Sequence, residues 1–129
     1  MQKYCAKLGE GEFKHIRPDN LGEEEYYFTR LNSTVIPTLQ KLLPACRSKN
    51  VDVIYTYIEC LTKNSRDQSL DYKLSGFLVP KGDPSAAILD EIKPEEDDIM
   101  IPKTSCSVFN STNIEYILRN LGNVLKIYQ

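Results

Sequence analysis

The side chains able to act as nucleophiles are four scattered cysteines, Cys5, Cys46, Cys60 and Cys106. None of them forms a CxxC pair, and the chain contains a single histidine, His15. This spacing does not favour a zinc site, which needs clustered cysteine and histidine ligands. A hydrolase built on a histidine base would have to use His15, which lies in a charged, loop-like stretch and is predicted to be solvated.

The positions of two cysteines predict different environments. Cys60 follows a predicted strand at the rim of a sheet, so it is the better candidate for reactivity, although a packing role is favoured. Cys106 lies three residues beyond Lys103, and we expect a small buried thiol there.

The first residues contain no apolar stretch typical of a secretory signal. We therefore expect reduced thiols and a cytoplasmic protein.

The composition is typical of a folded protein with one domain, because 129 residues with ordinary apolar and charged fractions can bury a core. The formal net charge of −2 supplies no basic surface, so a nucleic-acid partner is not expected. No apolar run approaches the roughly 20 residues of a membrane span, so no membrane association is expected either.

A long helix is predicted after the acidic run at 23–25, because negative charge suits the positive end of a helix dipole. Three-and-four spacing gives this helix one apolar face, formed by Leu31, Val35, Leu39, Leu42 and Cys46. Pro37 interrupts that face, so we expect a kink or two consecutive helices.

Three buried strands are predicted at 51–58, 98–101 and 124–128, because these segments are rich in β-branched, aliphatic or aromatic residues. Residues 60–82 are polar and predict a long loop, whereas a short helix is expected at 84–92. Another helix is predicted to open with a capping box of Thr112 and Glu115 and to end at Gly122. This alternation predicts an α/β protein with a three-layer αβα, doubly wound parallel sheet.

In parallel sheets of this kind, ligands bind beyond the carboxyl ends of the strands. Two segments are predicted to meet at that edge. One is the loop after Ile58, and the other is the segment 102–105, which contains Lys103.

Three stretches of the chain, taken in order, resemble the isochorismatase-like cysteine hydrolase family. The first joins Val-Ile-Tyr-Thr at 53–56 to Ile-Glu-Cys-Leu-Thr at 58–62 and the polar segment 66–73. The second is Val-Pro-Lys-Gly at 79–82 followed by 88–94, and the third is 101–109 with Ser-Thr at 111–112 opening a helix. The resemblance leans toward the branch of amidohydrolases of ureido and carbamoyl compounds, such as ureidoacrylate amidohydrolases. It implies one partial domain over residues 1–129 with a Rossmann-like topology.

The resemblance also implies a catalytic triad of Asp, Lys and Cys, in which the cysteine attacks an amide carbonyl. A nearby cation or base makes a thiol nucleophilic at neutral pH. The lysine of the family motif falls on Lys103. The family's aspartate ends the first strand in a pattern resembling Asp-Met-Gln-Asn, and residues 1–5 look like the remainder of that pattern. The family's cysteine comes after the strand that matches 124–128, so we expect the chain to be truncated at both ends.

Within this family resemblance, the polar loop after the first predicted strand faces the substrate. Its residues Glu59, Arg66, Asp67 and Tyr72 are candidates to orient a ureido or carboxylate group, with Arg66 offering a bidentate fork. A solvated loop with local ion pairs is an equal alternative.

The function implied by the resemblance is hydrolysis of a small amide or ureido compound, with no cofactor and no metal, in a protein that forms a homo-oligomer. Because two catalytic segments are not matched, these 129 residues are expected to be inactive. Two alternatives stay open. One is a non-catalytic binding or oligomer-interaction module of the same fold, and the other is an unrelated thiol-redox or ligand-binding α/β protein that uses Cys60.

Overall fold

A computed structural model describes residues 1–17 and 19–122, and its centre is a pair of parallel strands. Strand β1 is Ile54–Ile58 and strand β2 is Ile99–Lys103. They pair in parallel, with Ile54 opposite Ile99 and Ile58 opposite Lys103. The first two predicted strands are therefore confirmed, and the second extends to Lys103. The predicted strand at 124–128 lies outside the described residues.

One helical arm, from residue 25 to residue 48, precedes β1. Helix α1 is Glu25–Arg30 and helix α2 is Ile36–Ser48, and a π-helical turn at Leu31–Val35 joins them. The prediction of two consecutive helices is confirmed. Pro37 lies in the first turn of α2, where its missing N–H is tolerated, whereas Pro44 lies inside the helix.

The buried face of this arm differs from the predicted one. Phe28, Leu31 and Ile36 are buried, but the predicted core positions Val35 and Leu42 are 37% and 51% exposed. A π turn contains an extra residue compared with an α turn, so it rotates every later side chain about the helix axis. The three-and-four spacing counted from Leu31 therefore fails at Val35 and Leu42, whereas Leu39 still packs against the core as predicted.

The segment after β1 contains more structure than the polar sequence predicted. Helix α3, Leu70–Ser75, lies within the predicted loop and ends at Gly76, whose φ of 80° is the left-handed conformation that favours glycine. The helix predicted at 84–92 is instead two 3₁₀ turns, Pro84–Ala86 and Asp90–Ile92. Further 3₁₀ turns lie at Lys3–Cys5, Gly11–Phe13 and Gly22–Glu24.

Two short helices follow β2: α4, Val108–Ser111, and α5, Ile114–Asn120. The predicted capping box is wrong, because the Thr112 hydroxyl accepts from the N–H of Ile114 rather than from that of Glu115. The Glu115 carboxylate pairs with Arg119 instead. None of the helices in the described residues is both long and apolar enough to cross a bilayer.

The core has two parts, and β1 lies between them. The part next to α1 and α2 includes Tyr55 from β1. The part next to α3 includes Ile58 from β1, packed with Tyr72 and Val79. Because successive strand residues point to opposite faces, Tyr55 and Ile58 project to opposite sides of the sheet. The described residues thus place helices on both faces of the strands.

The first residues of the chain support the end of β1. The Gln2 side chain, 6% exposed, donates from Nε2 to the Ile58 carbonyl (3.0 Å) and accepts from the Ile58 N–H (2.6 Å). Gln2 itself pairs as an antiparallel bridge with Ile88. One amide side chain therefore satisfies two buried backbone groups that would otherwise need a neighbouring strand.

Replacing Gln2 with alanine should destabilise the fold by about 2–3 kcal/mol, because it leaves the N–H and carbonyl of Ile58 unsatisfied. Urea denaturation measures the loss, and faster hydrogen exchange at the Ile58 amide locates it. The matched control is Gln40→Ala, which removes the same side chain from an exposed helix position. Equal denaturation midpoints for the two variants would contradict this role of Gln2.

A partly buried ion pair fixes the opposite end of the sheet to α2. Arg47 pairs with Asp98, whose side chain is 6% exposed, and with Glu95 at 2.9 Å. The Asp98 carboxylate also accepts from the backbone N–H of Glu95 (2.8 Å). The hydrogen bond from Arg47 lowers the pKa of Asp98 below its ordinary value.

This lowered pKa predicts an acid-sensitive contribution to stability. The contribution is complete above the unfolded-state pKa of about 4, and it is lost as the pH falls through the lower folded-state pKa. Asp98→Asn should remove about 1–2 kcal/mol at pH 7 and flatten the pH dependence below pH 4. Thermal melts across this range test the claim, with the exposed Asp97→Asn as control. An unchanged slope in Asp98→Asn would refute it.

Candidate functional site

The parallel register brings the ends of β1 and β2 to one edge of the sheet, where Lys103 is the last residue of β2. The chain beyond Ile58 passes along the same edge, because the Glu59 N–H donates to the Lys103 carbonyl (3.3 Å). Helix α3 is tied to this edge as well, since the Ser69 N–H donates to the Thr104 carbonyl (3.1 Å). Lys103 and α3 are therefore neighbours.

Three oxygen atoms surround the half-buried ammonium of Lys103. Its Nζ donates to the Tyr72 hydroxyl (2.9 Å), to the Ser105 carbonyl (3.1 Å) and to the Cys106 carbonyl (3.4 Å). An ammonium carries three donors, so this arrangement satisfies all of them. Nζ lies 5.6 Å from the centre of the Tyr72 ring. This separation equals the sum of the hydrogen-bond length and the distance from the ring centre to the hydroxyl oxygen. The Lys103 ammonium therefore lies beyond the hydroxyl and not over the face of the ring.

Burial dominates the electrostatics of this pair. Desolvation lowers the pKa of Lys103, while the Cys106 thiol, the Cys5 thiol and the Asp71 carboxylate oppose that shift. Tyr72 is 3% exposed, and desolvation followed by the nearby Cys106 and Asp71 raises its pKa. Tyr72 is thus a neutral phenol at pH 7, able to accept from Lys103 without forming an ion pair.

The four predicted substrate-binding residues divide into two groups. Tyr72 lies against Lys103, whereas Glu59 and Asp67 hold their own loop together. The Glu59 carboxylate accepts from the Gly82 N–H (2.9 Å), and the Asp67 carboxylate accepts from the Leu61 N–H (2.6 Å) and the Thr62 hydroxyl. Arg66 is exposed and forms no ion pair within the described part of the chain.

The structure confirms the favoured packing role of Cys60 and reverses the expectation for Cys106. Cys60 is 4% exposed, so it is a packed core residue and not a rim thiol. Its N–H donates to the Val79 carbonyl (2.8 Å), which turns the chain inward after β1. Cys106, predicted to be buried, is exposed, because the chain bends away from the sheet after Lys103. All four cysteines are free, and His15 is exposed as predicted.

Asp71 is the residue near this edge that sequence analysis missed. Its carboxylate accepts from the backbone N–H of Cys106 (3.4 Å). The nearby Ser69 hydroxyl, and then the nearby Cys106 side chain, lower the pKa of Asp71. Asp71 and Cys106 are separated by 35 positions in the chain, and no spacing pattern links them. Only the packing of α3 against the segment after β2 brings them together.

The described residues offer no group of three or more His, Cys, Asp or Glu side chains arranged to hold a metal ion. The polar groups at the carboxyl edge are instead an ammonium, a phenol, a carboxylate and a thiol. Such a set can hold an anion or a polarised carbonyl and can stabilise a thiolate.

Comparison with known proteins gives one consistent match. The profile of the isochorismatase domain matches residues 28–125. A ureidoacrylate amidohydrolase of Agrobacterium fabrum is 34% identical over 103 residues, covering 67% of this chain and 45% of that protein. An N-carbamoylsarcosine amidase of an Arthrobacter species is 32% identical over 90 residues, covering 66% of this chain and 34% of that protein.

A solved structure agrees with these relatives. The crystal structure of a cysteine hydrolase from Pseudomonas syringae pv. phaseolicola matches with a TM-score of 0.60 and 26% identity, over 68% of this chain and 42% of that chain. The match confirms the predicted α/β fold. This chain spans less than half the length of each of these relatives.

Removing the Tyr72 hydroxyl should lower the pKa of Lys103 further, because the charged ammonium loses an acceptor in a partly buried place. The measurement is an NMR titration of the lysine side chains in Tyr72→Phe. Tyr116→Phe is the control, since Tyr116 is 69% exposed. A Lys103 titration identical in the wild type and Tyr72→Phe would show that the hydrogen bond has no electrostatic effect.

Proposed function

Because this chain belongs to the isochorismatase family, we propose that it forms the lysine-bearing part of the active site of a cysteine hydrolase that cleaves small amides or ureido compounds. The observation that carries the proposal is the position of Lys103. Its ammonium is half-buried at the carboxyl end of β2, and Tyr72 and two carbonyls fix its direction. A fixed cation at this edge needs no rearrangement to stabilise developing negative charge.

The role proposed for Lys103 is electrostatic. In a cysteine hydrolase the thiolate is the nucleophile, and an adjacent ammonium favours that ionised form. The three acceptors around Nζ keep the charge in place, while partial burial strengthens its field compared with that of a solvated lysine. Tyr72 is a positioning residue in this scheme, because it acts on the reaction through Lys103.

The proposed substrate class comes from the relatives. Their names specify ureidoacrylate and N-carbamoylsarcosine, and both compounds contain a carbonyl bonded to nitrogen on both sides. We propose a substrate of that ureido or carbamoyl type. Arg66 remains a proposed partner for a substrate carboxylate because its guanidinium is exposed. Glu59 and Asp67 already accept backbone hydrogen bonds, which makes them loop-shaping residues in this proposal.

For the 129 residues by themselves we propose no enzymatic amide hydrolysis. The reaction needs a nucleophile, a proton acceptor beside it and donors for the oxyanion. Of the triad of Asp, Lys and Cys that the family resemblance implies, the lysine alone falls on a residue of this sequence, Lys103. The matched regions cover 45% and 34% of these two relatives, which therefore have further segments that this sequence does not match.

The test has two arms. The 129-residue chain, offered ureidoacrylate, N-carbamoylsarcosine and nicotinamide, should show no turnover above background. The native protein purified from its source, with its mass determined, should hydrolyse a ureido or carbamoyl compound. Lys103→Ala in that protein should lower kcat/KM by about 100-fold or more.

The control for the second arm is Lys93→Ala, which removes a lysine from an exposed position. Activity in the native protein that Lys103→Ala leaves intact would overturn the assignment of Lys103. Turnover by the 129-residue chain that Lys103→Ala abolishes would overturn the proposed inactivity, and Cys106→Ser would then identify the nucleophile.

A further inference from the structure

The peptide group between Ser105 and Cys106 lies between two opposite charges. Its carbonyl accepts from the Lys103 ammonium (3.1 Å), and its N–H donates to the Asp71 carboxylate (3.4 Å). No cis peptide bond occurs in the described residues, and a trans peptide points its carbonyl and its N–H in opposite directions. The carboxylate therefore lies at the positive end of this peptide dipole and the ammonium at its negative end. We call this carboxylate–peptide–ammonium arrangement the peptide bridge.

One orientation of the peptide group satisfies both charges. Turning it over would aim the carbonyl at the carboxylate and the N–H at the ammonium, so both hydrogen bonds would be lost. Asp71 therefore fixes the direction of an acceptor that it does not itself provide. The other backbone acceptor of Lys103 is the carbonyl of Cys106 (3.4 Å), the same residue whose N–H is bound to Asp71.

Helix α3 holds the segment after β2 at two points. The Ser69 N–H donates to the Thr104 carbonyl (3.1 Å), and the Asp71 carboxylate accepts two residues further along the segment. Tyr72, the next residue of α3, accepts from the Lys103 ammonium directly (2.9 Å). Neighbouring helix residues thus hold the same ammonium in different ways, Tyr72 by contact and Asp71 through a peptide group.

We propose that Asp71 is a positioning residue for Lys103 and acts through the peptide bridge. This inference rests on the function proposed for Lys103, and it adds a residue that does not touch the ammonium. Hydrogen bonds in a series polarise one another, so the carboxylate strengthens the carbonyl acceptor that faces Lys103. A fixed acceptor keeps the positive charge in one place, where it needs no rearrangement during the reaction.

Direct attraction between the two charges is the alternative explanation for an effect of Asp71 on Lys103. Burial lowers the pKa of Lys103, and Cys106, Cys5 and Asp71 oppose this shift, while Tyr72 is neutral. Asp71 is exposed, so water and salt screen its direct attraction. Direct attraction requires only the negative charge, whereas the peptide bridge also requires an oxygen that accepts from the peptide N–H.

Two substitutions separate these explanations. Asp71→Asn removes the charge but keeps an oxygen that can accept from the Cys106 N–H, whereas Asp71→Ala removes both. An NMR titration of the 129-residue chain should show the pKa of Lys103 lowered in both variants, and lower in Asp71→Ala than in Asp71→Asn. Hydrogen exchange at the Cys106 amide should be about tenfold faster in Asp71→Ala and close to the wild-type rate in Asp71→Asn. Asp97→Ala is the matched control, since it removes an exposed carboxylate near the other end of β2.

Two results of these measurements would contradict the peptide bridge. An equal pKa of Lys103 in Asp71→Asn and Asp71→Ala would show that only the charge matters. A Cys106 amide that exchanges without protection in the wild-type chain would show that the hydrogen bond to Asp71 does not hold the peptide, and this measurement needs no variant. Circular dichroism verifies that each variant is folded.

The native protein supplies the readout for the reaction. Asp71→Ala should lower kcat about tenfold with little change in KM, and Asp71→Asn should restore most of the loss. The NMR results do not depend on turnover, so a native protein without ureido or carbamoyl hydrolysis would overturn the proposed function, while the Lys103 titration would still decide the peptide bridge. An unchanged kcat in Asp71→Ala, in a protein that Lys103→Ala inactivates, would overturn the positioning role of Asp71.

Discussion

Two strands of five residues do not make a stable sheet by themselves, so the site depends on the contacts that hold β1 and β2 in register. Tyr55 and Ile58 anchor β1 in separate parts of the core. The Gln2 side-chain amide forms hydrogen bonds with the N–H and the carbonyl of Ile58, the last residue of β1. Arg47 holds the start of β2 through its ion pair with Asp98. Together these contacts determine that Lys103 lies opposite Ile58 at a defined edge.

A second constraint arises from placing a cation at that edge. A partly buried ammonium is costly unless acceptors surround it, and the chain provides them from two separate elements. Two of the acceptors are carbonyls just beyond β2, and the third is the hydroxyl of Tyr72 on α3. Tyr72 is itself held by the core, against Phe77 and Val79. The direction of the Lys103 ammonium is thus determined by hydrophobic packing on the far side of α3.

The same packing places a half-buried lysine and an exposed cysteine side by side. Helix α3 presents Tyr72 to the interior and Asp71 to solvent, as neighbouring helix residues must. The interior side supports Lys103, the proposed catalytic lysine. On the solvent side, the Asp71 carboxylate accepts from the Cys106 N–H. One short helix therefore contacts both the proposed catalytic lysine and the exposed Cys106.

The sequence alone determined the local features: the two strands, the break in the helical arm, the exposed His15 and the family resemblance centred on Lys103. Each depends on residues close together in the chain. Prediction from the sequence failed where contacts between distant parts of the chain decide the structure. The π turn moved the buried face from Val35 to Ile36, the fold exposed Cys106, and α3 formed within a polar segment. The pairing of Asp71 with Cys106, and of Tyr72 with Lys103, arose only when α3 packed against the end of β2. The physical reason is that side-chain burial and charge pairing are set by contacts across the sheet, and spacing along the chain does not specify those contacts.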